Sequence, residues 1–133
     1  MSQEHVEVIR ALYEAFNRRD FDQIATYVDP DFEIQPLPAM IAMTGDKVKG
    51  YGEAKRFWLS FFEGFDEIQV EPRELVEVGD MVVAELRWRG RGRNGIEVEQ
   101  FHTDLWFFRD GRIARVEGFA TKTEALEAAG LSE

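Results

Sequence analysis

His102, Asp104 and Glu117 are titratable residues set inside the aromatic run from Phe101 to Phe119, and with Glu85 and Arg87 they are the side chains best suited to moving a proton. Two carboxylates held close together raise the proton affinity of one of them. An imidazole or guanidinium beside the pair can relay the proton or stabilise a developing oxyanion. Asp104 is the expected base, His102 a proton relay, and Arg87 a second oxyanion partner, with Glu117 and Glu85 as neighbouring carboxylates. Other chemistries have less footing. Metal binding is not expected, because the chain has only two histidines and His5 sits near a terminus. No serine lies in a nucleophile elbow, no glycine-rich loop leads into a helix, and the absence of cysteine removes thiolate chemistry and disulfides.

These residues need strands to bring them together. Asp110-Gly111, between two apolar-rich runs, is a strong signal for a tight hairpin. It joins a strand from Ile96 to Phe108 to one ending near Phe119. A looser turn at Gly92-Arg93-Asn94-Gly95 leads back to a strand from Met81 to Arg91, and Gly79-Asp80 to another from Ile68 to Val78. With Arg93-Asn94 as a two-residue turn, Glu85 falls opposite His102 and Arg87 opposite Gln100. With Asp110-Gly111 as the next, Asp104 falls opposite Glu117 and His102 opposite Phe119. One face then carries Glu85, Arg87, Gln100, His102, Asp104, Trp106, Arg115, Glu117 and Phe119. The other collects Ala84, Leu86, Trp88, Phe101, Leu105, Phe107, Ala114 and Val116. The polar face reads either as the lining of a concave pocket or as a solvated surface with cross-strand ion pairs. The apolar face reads as a packing surface for helices or for a second subunit.

The first half of the chain supplies helices. Val6, Ile9, Leu12, Tyr13 and Phe16 recur at helical spacing between His5 and Arg19. Asp20 can cap a shorter helix through Phe21, Ile24, Ala25 and Val28, ended by Asp29-Pro30. Asp31 to Pro36 alternates as a short half-buried strand. Leu37 to Gly50 is an apolar loop, either a lid or simply packed over the core. Ala54, Phe57, Trp58, Phe61 and Phe62 then make a helix with an aromatic face, and Thr121 to Glu124 has the form of a capping box for a terminal helix from Glu124 to Ala129. Helices first and a four-strand meander last imply an α+β fold as one domain over residues 1–133, with helices on one face of one sheet. The expected pocket walls are Trp58, Phe61 and Trp106, joined by Tyr13, Phe16, Phe32, Met40, Phe62 and Phe119.

The balance of the chain narrows its partners. A net charge of −10 argues against nucleic acid and anionic membrane, leaving small neutral or cationic molecules. No leader-like segment and no apolar run long enough to span a bilayer is present, so the expected location is cytoplasmic.

Several stretches resemble the SnoaL-like group of polyketide cyclases within the nuclear transport factor 2-like superfamily. They are Ala15-Phe16-Asn17-Arg18-Arg19-Asp20-Phe21-Asp22, Val28-Asp29-Pro30-Asp31-Phe32-Glu33, Gly50-Tyr51-Gly52-Glu53-Ala54, Val78-Gly79-Asp80-Met81-Val82-Val83 and, most closely, Trp106 to Ile113 followed by Glu124 to Leu131. The resemblance spans nearly the whole chain. It implies a cone-shaped, curved antiparallel sheet packed on N-terminal helices, a cystatin-like arrangement often paired as a homodimer through the sheet. It also implies a pocket for a small hydrophobic molecule and, in the enzymes of the group, cofactor-independent acid–base chemistry of isomerase, cyclase or epoxide-hydrolase type. Other members are non-catalytic binding or dimerisation modules. Many relatives carry an aromatic residue followed two positions later by Asp. Here Phe119 is followed by Thr121, so that acid is missing. Where many relatives have His or Gln two residues before Trp, this chain has Asp104.

Overall fold

The computed structural model describes residues 4–38, 41, 45 and 47–130. Met40 and part of the segment read as lid or packed loop lie outside them. Helix α1 (Glu4–Asn17) buries Val6, Ile9, Leu12, Tyr13 and Phe16, the stripe its spacing requires. It stops in a Schellman turn. Arg19 takes φ 60°, its N–H bonding to Phe16 O and that of Asp20 to Ala15 O. The Arg19 guanidinium then lies 4.2 Å from the centre of the Phe62 ring. Helix α2 (Phe21–Ala25) is capped by Asp20, whose side chain accepts from Gln23 N.

Strand β1 (Val28–Gln35) starts three residues earlier than its alternation suggests and contains Asp29-Pro30, expected to act as a stop. Pro30 is accommodated because the pairing of β1 breaks between Val28 and Glu33, where its missing N–H is not needed. Strand β2 (Val48–Lys49), inside the expected loop, adds an edge beside β1. Helix α3 (Tyr51–Glu63) buries Ala54, Trp58 and Phe62. The meander follows as β3 (Phe65–Val78), β4 (Met81–Gly92), β5 (Glu97–Arg109) and β6 (Arg112–Phe119), then helix α4 (Lys122–Ala128). Thr121 caps α4 by accepting from Glu124 N at 3.2 Å.

All strands belong to one open sheet of order β2-β1-β6-β5-β4-β3, with β1 parallel to β6 and the other pairs antiparallel. Helices α1 to α3 bury its inner face in one large core. Helix α4 crosses to the outer face, where Ala125 packs with Val83 and Leu105. The expectation that helices cover one face only is therefore corrected at this end of the sheet. Among the described residues no helix is long and apolar enough to cross a membrane.

The register differs from the layout expected from the turns. Between β4 and β5, Gly92 N bonds to Ile96 O and encloses three residues, Arg93 to Gly95, with Gly95 at φ 85°. That is a three-residue hairpin loop rather than a two-residue turn. Between β5 and β6 the Asp110-Gly111 turn forms as read, both residues at positive φ. A bulge then changes the pairing from Phe108↔Ile113 to Phe107↔Arg115, leaving Ala114 as the extra residue. Each irregularity moves its pairing by one place. Asp104 now faces Ala84 and Gly118, while His102 faces Leu86.

Candidate functional site

A one-residue slip turns a strand's side chains to the opposite face, and both partners of β5 have slipped. His102, Asp104 and Trp106 share the inner face with Ala84, Leu86 and Val116. Glu85, Arg87, Glu117 and Phe119 lie on the outer one. Glu85 pairs with Thr103, and Arg87 bonds Glu99 and lies 3.5 Å from Glu71. Glu117 faces Arg115 at 3.5 Å, and Phe119 packs in the cluster under α4. The sheet therefore separates Asp104 from Glu117, and the two carboxylates do not form a pair.

What meets Asp104 comes instead from α1. Tyr13 Oη donates to Asp104 Oδ2 at 2.8 Å, and Trp106 Nε1 donates to Tyr13 Oη at 2.8 Å. An indole N–H can only donate, so it occupies a lone pair of the phenol and leaves the phenol proton for the carboxylate. On the other carboxylate oxygen, His102 Nε2 stands 3.3 Å from Asp104 Oδ1, both side chains being more than four-fifths buried. The result is a chain Trp106–Tyr13–Asp104–His102. At its end His102 Nδ1 is buried and has no hydrogen-bond partner among the described residues.

Burial and charge act together here. Burial alone disfavours the imidazolium of His102, but the charge of Asp104 and its hydrogen bond outweigh that and raise the His102 pKa above its ordinary value. Burial pushes the Tyr13 phenol well up, and Asp104 pushes it further, so Tyr13 stays protonated as the donor.

The expected aromatic walls are distributed through the inner core. Trp106 sits edge-on to Tyr13 and stacks on Phe32 with centroids 6.3 Å apart. Trp58 contacts Phe16, Phe21, Phe32 and Tyr51, while Phe62 packs on Phe16 and Phe21. Phe61 is half-buried, edge-on to Phe57. Beside Asp104, Leu37 lies so close over Gly118 that a Cβ there would stand 3.1 Å from Leu37 Cγ. Among the described residues no three His, Asp or Glu side chains converge as metal ligands would. The other histidine, His5, stacks on Phe108 near Glu77.

Sequence reasoning placed Tyr13 as a pocket wall and missed its bond to Asp104, which lies 91 positions away. A signal for the correct face was present. Val82, Ala84, Leu86 and Trp88 are uniformly apolar at strand spacing, so this row of β4 had to meet the helices, taking its partners on β5 with it.

Comparison with known proteins gives the same fold. The SnoaL-like domain profile matches residues 9–116. A nuclear transport factor 2-like protein of unknown function from Burkholderia pseudomallei K96243 is 25% identical with a TM-score of 0.79, over 96% of this chain and 97% of that one. TerC, co-crystallised with polyporic acid, is also 25% identical, with a TM-score of 0.79 over 96% and 98% of the two chains. A SnoaL-like polyketide cyclase candidate from Jannaschia sp. CCS1 shares the fold at 20% identity, with a TM-score of 0.77 over 99% and 95%. No curated protein sequence matches.

Proposed function

The chain belongs to the SnoaL-like domain family, and from that premise we propose that its inner face binds a small, neutral hydrophobic molecule and moves a proton on it without a cofactor. The observation that carries this reading is the hydrogen-bonded chain ending at the buried Nδ1 of His102, which has no hydrogen-bond partner among the described residues. A neutral imidazole that points its Nε2 proton at Asp104 keeps its lone pair on Nδ1, which makes that nitrogen the proton acceptor. Asp104 holds the ring in that tautomer and stabilises the imidazolium formed, while Tyr13 and Trp106 keep the carboxylate oriented. The proton leaves a C–H or O–H of the substrate, rests on Nδ1, and returns to another substrate atom. Such a cycle suits an isomerisation, a cyclisation or an epoxide opening. Asp104 thus passes from base to orienting group, and His102 from relay to base. Glu117, Glu85 and Arg87 take no part.

Turnover of a panel of enolisable ketones and epoxides tests this. His102→Ala is expected to lower the rate by about 10²–10⁴-fold, the usual contribution of a positioned acid–base group, and Glu117→Gln to leave it unchanged. Loss in Glu117→Gln with retention in His102→Ala would reverse the assignment. A non-catalytic binding module is the second reading, favoured by Thr121, which serves as the cap of α4 where many relatives have an acid.

The assembly proposed is a homodimer through the outer face of β3 to β5, beyond the part covered by α4. There Phe101 is 49% exposed, among the rows formed by Arg87 with Glu71 and Glu99 and by Arg91 with Glu67. Light scattering at micromolar concentration should give twice the mass of one chain, and Phe101→Asp should halve it. A monomer mass for the wild type contradicts the proposal.

A further inference from the structure

Strand β3 ends the sheet, so one of its sides faces no other strand. In an antiparallel ladder each residue sends its N–H and C=O to the same side, and the side alternates along the strand. Val70, opposite Trp88 on β4, directs its pair to the open side, where the Asn17 side chain takes both. Asn17 Nδ2 donates to Val70 O at 2.9 Å, and Val70 N donates to Asn17 Oδ1 at 2.8 Å. One amide thus makes the two bonds that a neighbouring strand would make. Ile68 and Pro72 share the direction of Val70, and Pro72 has no N–H to offer there. Nearer the start of the strand, Arg19 Nη2 donates to Asp66 O at 3.4 Å. The end of α1 and the turn after it therefore occupy this edge.

What Asn17 covers is self-complementary. Two copies set antiparallel about Val70 would exchange both bonds between their Val70 residues. Each Ile68 N–H would donate to Pro72 O of the other copy, the proline withholding only the return bond. The same register sets Glu67 of each copy opposite Arg73 of the other, an attractive pair at both ends. Arg73 is the extra residue where β3 shifts register, and its guanidinium lies 5.1 Å from the centre of the Phe101 ring, on the same outer face as Glu67, which reaches Arg91 at 3.3 Å. Both side chains are exposed. We infer that the Ile68 to Pro72 edge of β3 is a strand-pairing surface for a second copy of this chain, held closed by Asn17. Without the amide, Val70 N–H and C=O lose their partners, and an open strand edge is a template for another strand. This contact is separate from the homodimer proposed above, which uses the outer face of the sheet.

The test carries Phe101→Asp throughout, so that the outer-face contact is removed and the mass by light scattering at micromolar concentration reports on the edge alone, with amide spectra checking the fold. With Asn17 intact the chain should be a monomer. Asn17→Ala should give a concentration-dependent dimer. Asn17→Asp, which keeps an acceptor for Val70 N–H but no donor for Val70 O, should give a weaker one. Adding Arg73→Glu to Asn17→Ala should weaken the dimer by about tenfold, because like charges then face each other at both ends, and adding Glu67→Arg as well should restore it. A folded Asn17→Ala chain that stays monomeric, or one whose association ignores the charge changes, overturns the proposal. A dimer that forms with Asn17 intact and yields to Arg73→Glu overturns the closure, since the edge would already be open. Loss of fold in both Asn17 variants would make the amide a requirement of the fold rather than a closure, and overturns it too.

Discussion

Asp104→Asn should slow turnover at neutral pH by about 10²–10⁴-fold while leaving the fold intact, because an amide of the same size removes the charge that orients and supports His102. The pH dependence should change with it. In the wild type the base must be neutral, so the rate rises with pH through a His102 pKa that lies above the ordinary 6.5. Both upward influences on that pKa come from Asp104, and burial is the influence that remains in the variant. Its rising limb therefore moves below 6.5, and the slower rate reflects a weaker, less well-oriented base rather than a protonated one. Stability follows the same sign. In the wild type the stabilisation from protonated His102 is fully present below the unfolded pKa and is lost as pH rises through the raised folded value. In Asp104→Asn the folded pKa is depressed, so stability is instead lost as pH falls below the unfolded value. A rate profile and a denaturation series across pH check both statements together.

The largest stability loss is expected for Trp106→Ala, at about 3–5 kcal/mol. Trp106 is only 2% exposed, wedged between Tyr13 and Phe32, and it carries the N–H that fixes the Tyr13 hydroxyl. Truncation opens a cavity in the centre of the inner core and frees the phenol to rotate away from Asp104. Tyr13→Phe should cost less, about 1–3 kcal/mol, because packing is kept and the loss is the buried Trp106 N–H left without its acceptor. Urea unfolding with an unchanged m-value measures both. A smaller loss for Trp106→Ala than for Tyr13→Phe would show that the hydrogen-bonded chain, not the packing, dominates this part of the core.

The fold was legible because its signals are local. The stripe from Val6 to Phe16, the aromatic face from Ala54 to Phe62 and the Asp110-Gly111 turn each specify an element within a few residues. Placing side chains on sheet faces depends on counting residues through loops, and there two small features intervened. Gly92-Arg93-Asn94-Gly95 is compatible with a two- or a three-residue loop, and the positive φ of Gly95 realises the longer one. The bulge at Ala114 leaves no mark in the sequence that distinguishes it from regular alternation. Together they kept His102, Asp104 and Trp106 on one face while moving Glu85, Arg87 and Glu117 to the other. Tyr13 was visible only as part of a helical stripe, since its bond to Asp104 exists only once α1 lies across the sheet.

The most direct test is the titration of His102 followed by NMR in wild type and in Asp104→Asn. The coupling of Asp104 to His102 requires a midpoint above the ordinary histidine value in the wild type and below it in the variant. Equal midpoints in the two proteins would contradict the coupling, and with it the proton-acceptor role of His102.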